Sequence, residues 1–171
     1  MFLVISSSLN PESRSRTLAR CAAEKLPSSQ SDFVDLQELE IPFCDGASAY
    51  GHPSVSPLAE RIAAARGILI AAPVYNFDVN AAIKNVVELT GKNAWSDTVV
   101  GFLLAAGGQG SYMAVMPFAN SLMLDFRCLI LPRFVYTTED GFEGTGVTEE
   151  IDTRIGQLCD DLVRVTNALD S

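Results

Sequence analysis

Cysteine is scarce and scattered. Cys21, Cys44, Cys128 and Cys159 form no CxxC pair, so neither a zinc site nor a disulfide framework is expected. Buried or inert thiols in a reducing compartment are the expectation. None of the four is followed by Arg after five intervening residues, which excludes a tyrosine-phosphatase loop. Histidine occurs once, as His52, so a histidine-based triad would have to use it, and no GxSxG elbow lies nearby. Tryptophan also occurs once, as Trp95, and reads as a packing residue. Basic charge is in deficit: 12 Lys and Arg against 21 Asp and Glu leave a net charge of −9. A general nucleic-acid surface is therefore not expected, because duplex affinity comes from neutralising phosphates. No apolar run approaches the ~20 residues of a membrane helix. The apolar start Met1–Ile5 is short and has no basic leader, so a cytoplasmic location is expected. Neither GxGxxG nor GxxxxGK[ST] occurs, which disfavours the usual dinucleotide fingerprint and a nucleoside-triphosphate hydrolase.

What is present suits one globular domain spanning 1–171. Hydrophobic residues make up 48% and charged residues 19%, which is inconsistent with whole-chain disorder. A chain of this size buries roughly 70% of its unfolded surface and needs no staples. The charge is uneven. Arg14, Arg16, Arg20 and Lys25 crowd the N-terminal part, whereas nine acids follow from Glu139 onward. A small anion could be held near the first cluster, and the acidic end reads as a solvated face.

Short apolar runs alternate with helical patterns. Strands are expected at Phe2–Ile5, Asp32–Leu36, Gly67–Ala72, Thr98–Ala105 and Arg127–Leu131. Continuous apolar runs such as GILIAA suit strands buried on both faces of a parallel sheet. Helices are expected over 13–26, 58–65, 81–90 and 113–124, with Pro117 near a first turn. A last helix begins near Thr148 and aligns Ile151, Ile155, Leu158, Leu162, Val165 and Leu169 on one face. The stretch 37–56, rich in Pro and Gly, is expected to be irregular and reads as a lid or interface loop. Strands alternating with helices imply right-handed βαβ units. The result is an α/β three-layer sandwich: a five-stranded parallel sheet of order 2-1-3-4-5 with helices on both faces.

Ligands of such sheets bind at the carboxyl ends of the strands, near the switch in strand order. Three loops there have unusual composition. The first, Ser6–Arg16, carries Ser8, Asn10, Ser13 and Ser15 ahead of a helix. A helix N-terminus offers unpaired N–H groups and partial positive charge, so phosphate is favoured there. Arg14 or Arg16 could add charge. The bland alternative is an N-cap with a solvated serine loop. The second, Pro73-Val74-Tyr75-Asn76-Phe77-Asp78-Val79-Asn80, sets two aromatics and an amide directly after a buried strand. This suits one face of a flat, partly polar ring, although core or interface packing is the alternative. Asn80 could cap the next helix. The third, Gly107-Gly108-Gln109-Gly110-Ser111, would let backbone approach a ligand closely.

Together these loops resemble the NAD(P)H-dependent FMN reductase family of the flavodoxin-like superfamily. That family opens strand–GSLRxxSxN–helix, carries PxYNxxxPxxLKNxxD in its middle, and has a later GGxGG-like loop. Here the blocks stand as Ser7-Ser8-Leu9-Asn10-Pro11-Glu12-Ser13-Arg14-Ser15, as Pro73-Val74-Tyr75-Asn76 with Ala82-Ile83-Lys84-Asn85, and as Gly107-Gly108-Gln109-Gly110-Ser111. The likeness runs over about residues 1–135.

The resemblance implies that Ser8, Asn10, Ser13, Ser15 and Arg14 hold the FMN phosphate. Pro73, Val74, Tyr75, Asn76 and Phe77 would line the isoalloxazine, and Gly107, Gly108 and Gln109 would meet its other edge. It also implies hydride transfer from NADPH or NADH to FMN. Electrons would then pass to a small-molecule acceptor such as a quinone, azo compound, flavin or metal ion. The cofactor would carry the chemistry, so no catalytic side chain and no metal site is expected. A homodimer or homotetramer is implied as well. Asn10 stands where the family usually has Arg, Ser15 where it has Asn, and Phe77 where a small residue is common. The first change leaves charge to Arg14 or Arg16; the last narrows the space above the flavin. An electron-carrier flavodoxin and a flavin-free binding protein on the same fold stay open at this point.

Overall fold

The computed structural model describes residues 1–169. The chain opens with strand β1 (Phe2–Ser6), helix α1 (Arg14–Lys25) and β2 (Ser31–Asp35). It continues with α2 (Val55–Ala63), β3 (Gly67–Tyr75) and β4 (Asp78–Val79), then α3 (Ala81–Thr90) and the short α4 (Lys92–Trp95). After β5 (Val99–Ala105) come α5 (Met116–Phe126), β6 (Leu129–Ile130) and β7 (Val135–Thr137). A small hairpin, β8 (Phe142–Glu143) and β9 (Gly146–Val147), precedes α6 (Glu149–Leu169).

The parallel sheet has the order β2-β1-β3-β5, and its fifth position is shared by β6 and β7. Both lie parallel to β5: Leu129 and Ile130 pair with its first two residues, and Val135–Thr137 pair with Leu103–Ala105. This is the flavodoxin-like arrangement with a broken last strand, where an uninterrupted one at 127–131 was expected. Pro132 lies in the break, and proline has no N–H to give a ladder.

Strand alternation divides the core. Leu3, Ile5, Ile68, Ile70, Val100 and Phe102 face helices α2 to α5. Phe2, Val4, Leu69, Ala71, Val99 and Leu103 face α1 and α6. A strand buried on both sides must be apolar at every position, which is why these runs read continuously. Trp95 is buried, with its Nε1 donating to Thr90 Oγ1 at 2.8 Å. In α6, Ile151, Ile155, Leu158 and Leu162 are buried as the spacing predicts, but Leu169 is exposed. Thr166 takes over the stripe, packed on Gly67. A Cβ on Gly67 would stand 3.0 Å from Thr166 Oγ1, so glycine is what lets the helix end approach the sheet. The acidic end is partly paired rather than only solvated, since Glu139, Asp152 and Asp161 reach Arg14, Lys25 and Arg133.

The stretch 37–56 is fixed, not structureless. Asn85 of α3 accepts from the Cys44 N–H and donates to the Pro42 carbonyl, each at 2.8 Å. Asp45 accepts from the N–H groups of Ala47 and Ala49 and the hydroxyl of Ser48. Those bonds hold its carboxyl down at about 2. His52 lies in this stretch, with Nδ1 2.8 Å from Ser54 Oγ.

Burial pushes the Cys128 thiol up to about 11 and Cys159 to about 12. The thiolate is the reactive form, so both should be inert. A thiol reagent at pH 8 is expected to modify Cys44 first in native protein. Cys128 and Cys159 should react only after denaturation. Rapid labelling of all four in the folded state would contradict this core.

Candidate functional site

The carboxyl ends of β1, β3 and β5 open onto one cleft of about 270 Å³. All three compositionally unusual loops reach it. Ser8, Asn10, Ser13, Arg14 and Ser15 come from the first, Pro73, Val74 and Tyr75 from the second, and Gly107 from the third. Asn76, Phe77, Gly108 and Gln109 lie beyond its walls, at the tip of the second loop and along the glycine turn. A larger groove of about 770 Å³ runs beside α1 towards the β8–β9 hairpin and shares Glu12, Ser13 and Arg14 with the cleft. The smaller space is the better candidate for chemistry, because it sits where strand ends and helix start converge.

The first loop is a turn that ends in a helix start. Ser13 is the N-cap of α1 but makes no side-chain cap bond. Its hydroxyl instead lies 2.8 Å from that of Ser15. The first bonded helical amide is Arg16, donating to the Ser13 carbonyl at 3.1 Å. The amides of Arg14 and Ser15 precede it and so belong to the set that a helix leaves without intrahelical partners. No acidic residue stands in the first turn of α1, so nothing within the helix offsets the positive end of its dipole; Glu12, one residue ahead of the N-cap, also lines the cleft. Hydroxyls, amides and partial positive charge form a donor set that fits a phosphate. Ser8 is buried and accepts from the Asn10 N–H, and Asn10 accepts from the Glu12 N–H.

The two arginines divide. Arg14 is exposed, bonded to Glu139 at 2.6 Å, and lies 5.7 Å from the Phe142 ring centre. Arg16, expected as an alternative source of charge, is 7% exposed and held by Asp35. Its charge is thus neutralised inside the protein.

The second loop is not an open loop. Val74 pairs with Val79 and Tyr75 with Asp78, so β3 and β4 form an antiparallel hairpin. Asn76 and Phe77 at its tip have φ of 51° and 63°, the signature of a two-residue turn matched to strand twist. Asn-Phe lacks the glycine that usually marks such turns, which hid the hairpin in the sequence. Tyr75 and Phe77 are 55% and 66% exposed, so neither packs into the core. Asn80 is the N-cap residue of α3, as expected, but its side chain makes no cap bond. Its Nδ2 donates to the Ser7 carbonyl at 2.7 Å, and its Oδ1 lies 2.7 Å from Ser7 Oγ. This buried exchange fixes the second loop to the first.

A bulky residue at positive φ costs about 1–2 kcal/mol, and Phe77 touches little that would offset it. Phe77→Gly is expected to leave the melting temperature unchanged or to raise it by about 2–4 °C. A fall of that size in a thermal melt would mean that Phe77 packs in the folded chain or against a second copy of it.

The third loop is braced from β7. The Tyr136 hydroxyl donates to the Gly108 carbonyl and lies 2.8 Å from Ser111 Oγ. Gln109 Nε2 donates to Thr138 Oγ1 at 3.0 Å. The Tyr112 ring packs on Phe134 and Tyr136, with centres 5.0 and 5.5 Å apart. A Cβ on Gly107, Gly108 or Gly110 would meet nothing within 4 Å. Packing inside the chain therefore does not demand glycine here, and the space left open suits close approach by a ligand. Tyr136, Thr138, Asn80 and Asp35 are supports that motif reading missed. None of them carried a local signal: even Asp35, inside the strand expected at 32–36, comes into register with Ser6 only through the pairing of β2 with β1. Among the described residues no group of three potential metal ligands is present, and no helix is long and apolar enough to cross a membrane.

A parallel sheet of this order, with a phosphate-suited helix start beside an aromatic hairpin and a glycine turn, defines a flavodoxin-like protein of the nucleotide-binding kind. The model of the NADPH-dependent FMN reductase family matches residues 1–142, and the chain belongs to that family. It is thus an oxidoreductase with FMN as cofactor and NAD(P)H as co-substrate. It is 26% identical over 149 residues to an NAD(P)H-dependent FAD/FMN reductase of Geobacillus thermodenitrificans (strain NG80-2), covering 85% of this chain and 80% of the relative. It is 30% identical over 113 residues to an NADPH:quinone oxidoreductase of Arabidopsis thaliana, covering 62% and 58%. The fold matches an oxidoreductase of Corynebacterium diphtheriae with a TM-score of 0.80, at 19% identity over 98% of this chain and 96% of the other. It also matches a flavoenzyme NAD(P)H:(acceptor) oxidoreductase of Paracoccus denitrificans with a TM-score of 0.77, at 20% identity over 98% and 97%.

Proposed function

We propose that this enzyme passes electrons from NAD(P)H to a small, flat aromatic acceptor of the quinone class, with FMN seated in the three-loop cleft. The observation that carries this reading is the convergence of hydroxyls, helix amides, an aromatic hairpin and a glycine turn on one space. Ser8, Asn10, Ser13, Arg14 and Ser15 hold the phosphate. Pro73, Val74, Tyr75, Asn76 and Phe77 take one side of the ring, and Gly107, Gly108 and Gln109 take the other edge. Bound FMN supplies the redox chemistry. The residues of the chain bind and orient it, and the glycine turn gives the ring edge backbone N–H groups without side-chain obstruction. The exposed Tyr75 and Phe77 offer flat surfaces against which an aromatic acceptor stacks.

Purified protein is expected to take up FMN and to lose the yellow absorption on anaerobic addition of NADPH or NADH. Absorption should return when a quinone is added. Bleaching without reoxidation by quinones would exclude that acceptor class. Absence of bleaching with either donor would overturn the reading and favour an electron carrier.

A homodimer or homotetramer also belongs to this proposal. Tyr75, Phe77 and Phe43 are large aromatics exposed on a single chain, and such residues are enriched at interfaces. Sedimentation equilibrium tests it, with a monomer at all concentrations as the contrary result.

A further inference from the structure

We propose that Arg16 is a positioning residue that sets the preference for a phosphorylated flavin over riboflavin. This rests on the assignment of the phosphate to the first loop.

Arg16 lies in the first turn of α1, buried, and its five N–H groups meet five acceptors. Nε reaches Asp35 Oδ2 at 2.5 Å and Nη2 reaches Asp35 Oδ1 at 3.2 Å. Nη1 reaches the carbonyls of Pro11 at 2.5 Å and Asn10 at 3.2 Å. Nη2 also points to Gln37 Oε1 at 3.4 Å. No donor is left for a ligand, so Arg16 acts through the backbone it holds.

The carbonyls it engages belong to the turn between Ser8 and Ser13, the stretch that carries the phosphate donors. A carbonyl facing the cleft would repel a phosphate. With both carbonyls committed to the guanidinium, the loop keeps them from opposing the hydroxyls of Ser8, Ser13 and Ser15 and the first amides of α1. Pro11 and Glu12 are exposed, and little else ties this turn down: Glu12 N–H to Asn10 Oδ1 at 3.0 Å and Asn10 N–H to Ser8 Oγ at 3.3 Å. The anchor is itself fixed, because Asp35 ends β2 in register with Ser6 and accepts from the Gln37 N–H at 3.2 Å. A buried ion pair is seldom a net gain in stability over an apolar pair, which points to geometry as what Arg16 contributes. The ring end of the cleft is built from β3 and β5, which supply none of the acceptors of Arg16. A ligand without a phosphate should not sense the residue.

The test is titration of apoprotein with FMN and with riboflavin, followed by quenching of flavin fluorescence. Arg16→Met is expected to weaken FMN by about tenfold or more and riboflavin by less than about threefold. Arg16→Lys, whose single ammonium cannot span Asp35 and both carbonyls, should show the same split at smaller size. If Arg16→Met does not fold, the ratio is read on Arg16→Lys and Asp35→Asn, which keep the local volume. Equal loss for both ligands, or unchanged FMN affinity, would overturn the positioning role. Wild-type protein that binds neither flavin would instead overturn the cofactor assignment on which it rests.

Discussion

Ser13→Asp is expected to melt no lower than the wild type and to bind FMN at least about 100-fold more weakly. The two effects have opposite signs for one reason. Ser13 is the N-cap of α1 and its side chain makes no cap bond. Aspartate is a strong N-cap, and its charge complements the helix dipole, worth about 0.3–1 kcal/mol. In the proposed seating, the FMN phosphate takes the same amides and the same partial charge. It carries roughly −1.5 to −2 charges at neutral pH. Two unit charges about 4 Å apart interact by about 4 kcal/mol at an effective dielectric near 20. A 100-fold loss needs only about 2.8 kcal/mol. Thermal melts and a flavin titration at fixed salt check both halves. Riboflavin should bind the variant within about threefold of wild type, since it has no phosphate to repel. Equal loss of both flavins would place the phosphate elsewhere.

Gly141→Ala is expected to cost about 2–3 kcal/mol and to lower the melting temperature by about 5–10 °C. A Cβ there would stand 1.8 Å from Thr137 Oγ1 and 2.9 Å from Ile151. Thr137 is buried at the end of β7, and Ile151 is on the buried face of α6, so neither can withdraw without moving an element. Thr138, next in the chain, holds Gln109 of the glycine turn. The damage should therefore reach the cofactor as well, weakening both FMN and riboflavin, unlike Ser13→Asp. Gly110→Ala is the control. Its Cβ would meet nothing, and stability should change by less than about 0.5 kcal/mol. Equal melting temperatures for the two variants would contradict the packing around Gly141.

Much of the fold was legible because parallel strands buried on both faces leave a direct trace. Gly67–Ala72 and Val99–Ala105 are apolar throughout, and each is a strand. The helix of 81–90 was readable to the residue from its apolar spacing. The failures were local and shared a cause. The β3–β4 hairpin, the split at Pro132 and the swap of Leu169 for Thr166 depend on what lies opposite in space. A turn without glycine, a two-residue strand and the last stripe of a helix carry too few residues for periodicity to register. The site divides in the same way. Hydroxyls and glycines announced themselves by composition, whereas Asp35, Asn80 and Tyr136 serve only because distant segments meet.

The order of residues by itself determined the layered α/β architecture and the chemical character of the three loops. Continuous apolar runs and helical spacing are written along the chain, and so is the family motif. Tertiary structure alone decided which arginine does what. Arg14 and Arg16 are two residues apart on one helix start, with the same charge and reach. One turns outward to Glu139 and the other inward to Asp35. The difference comes from which side of α1 faces the end of β2, and long-range packing sets that.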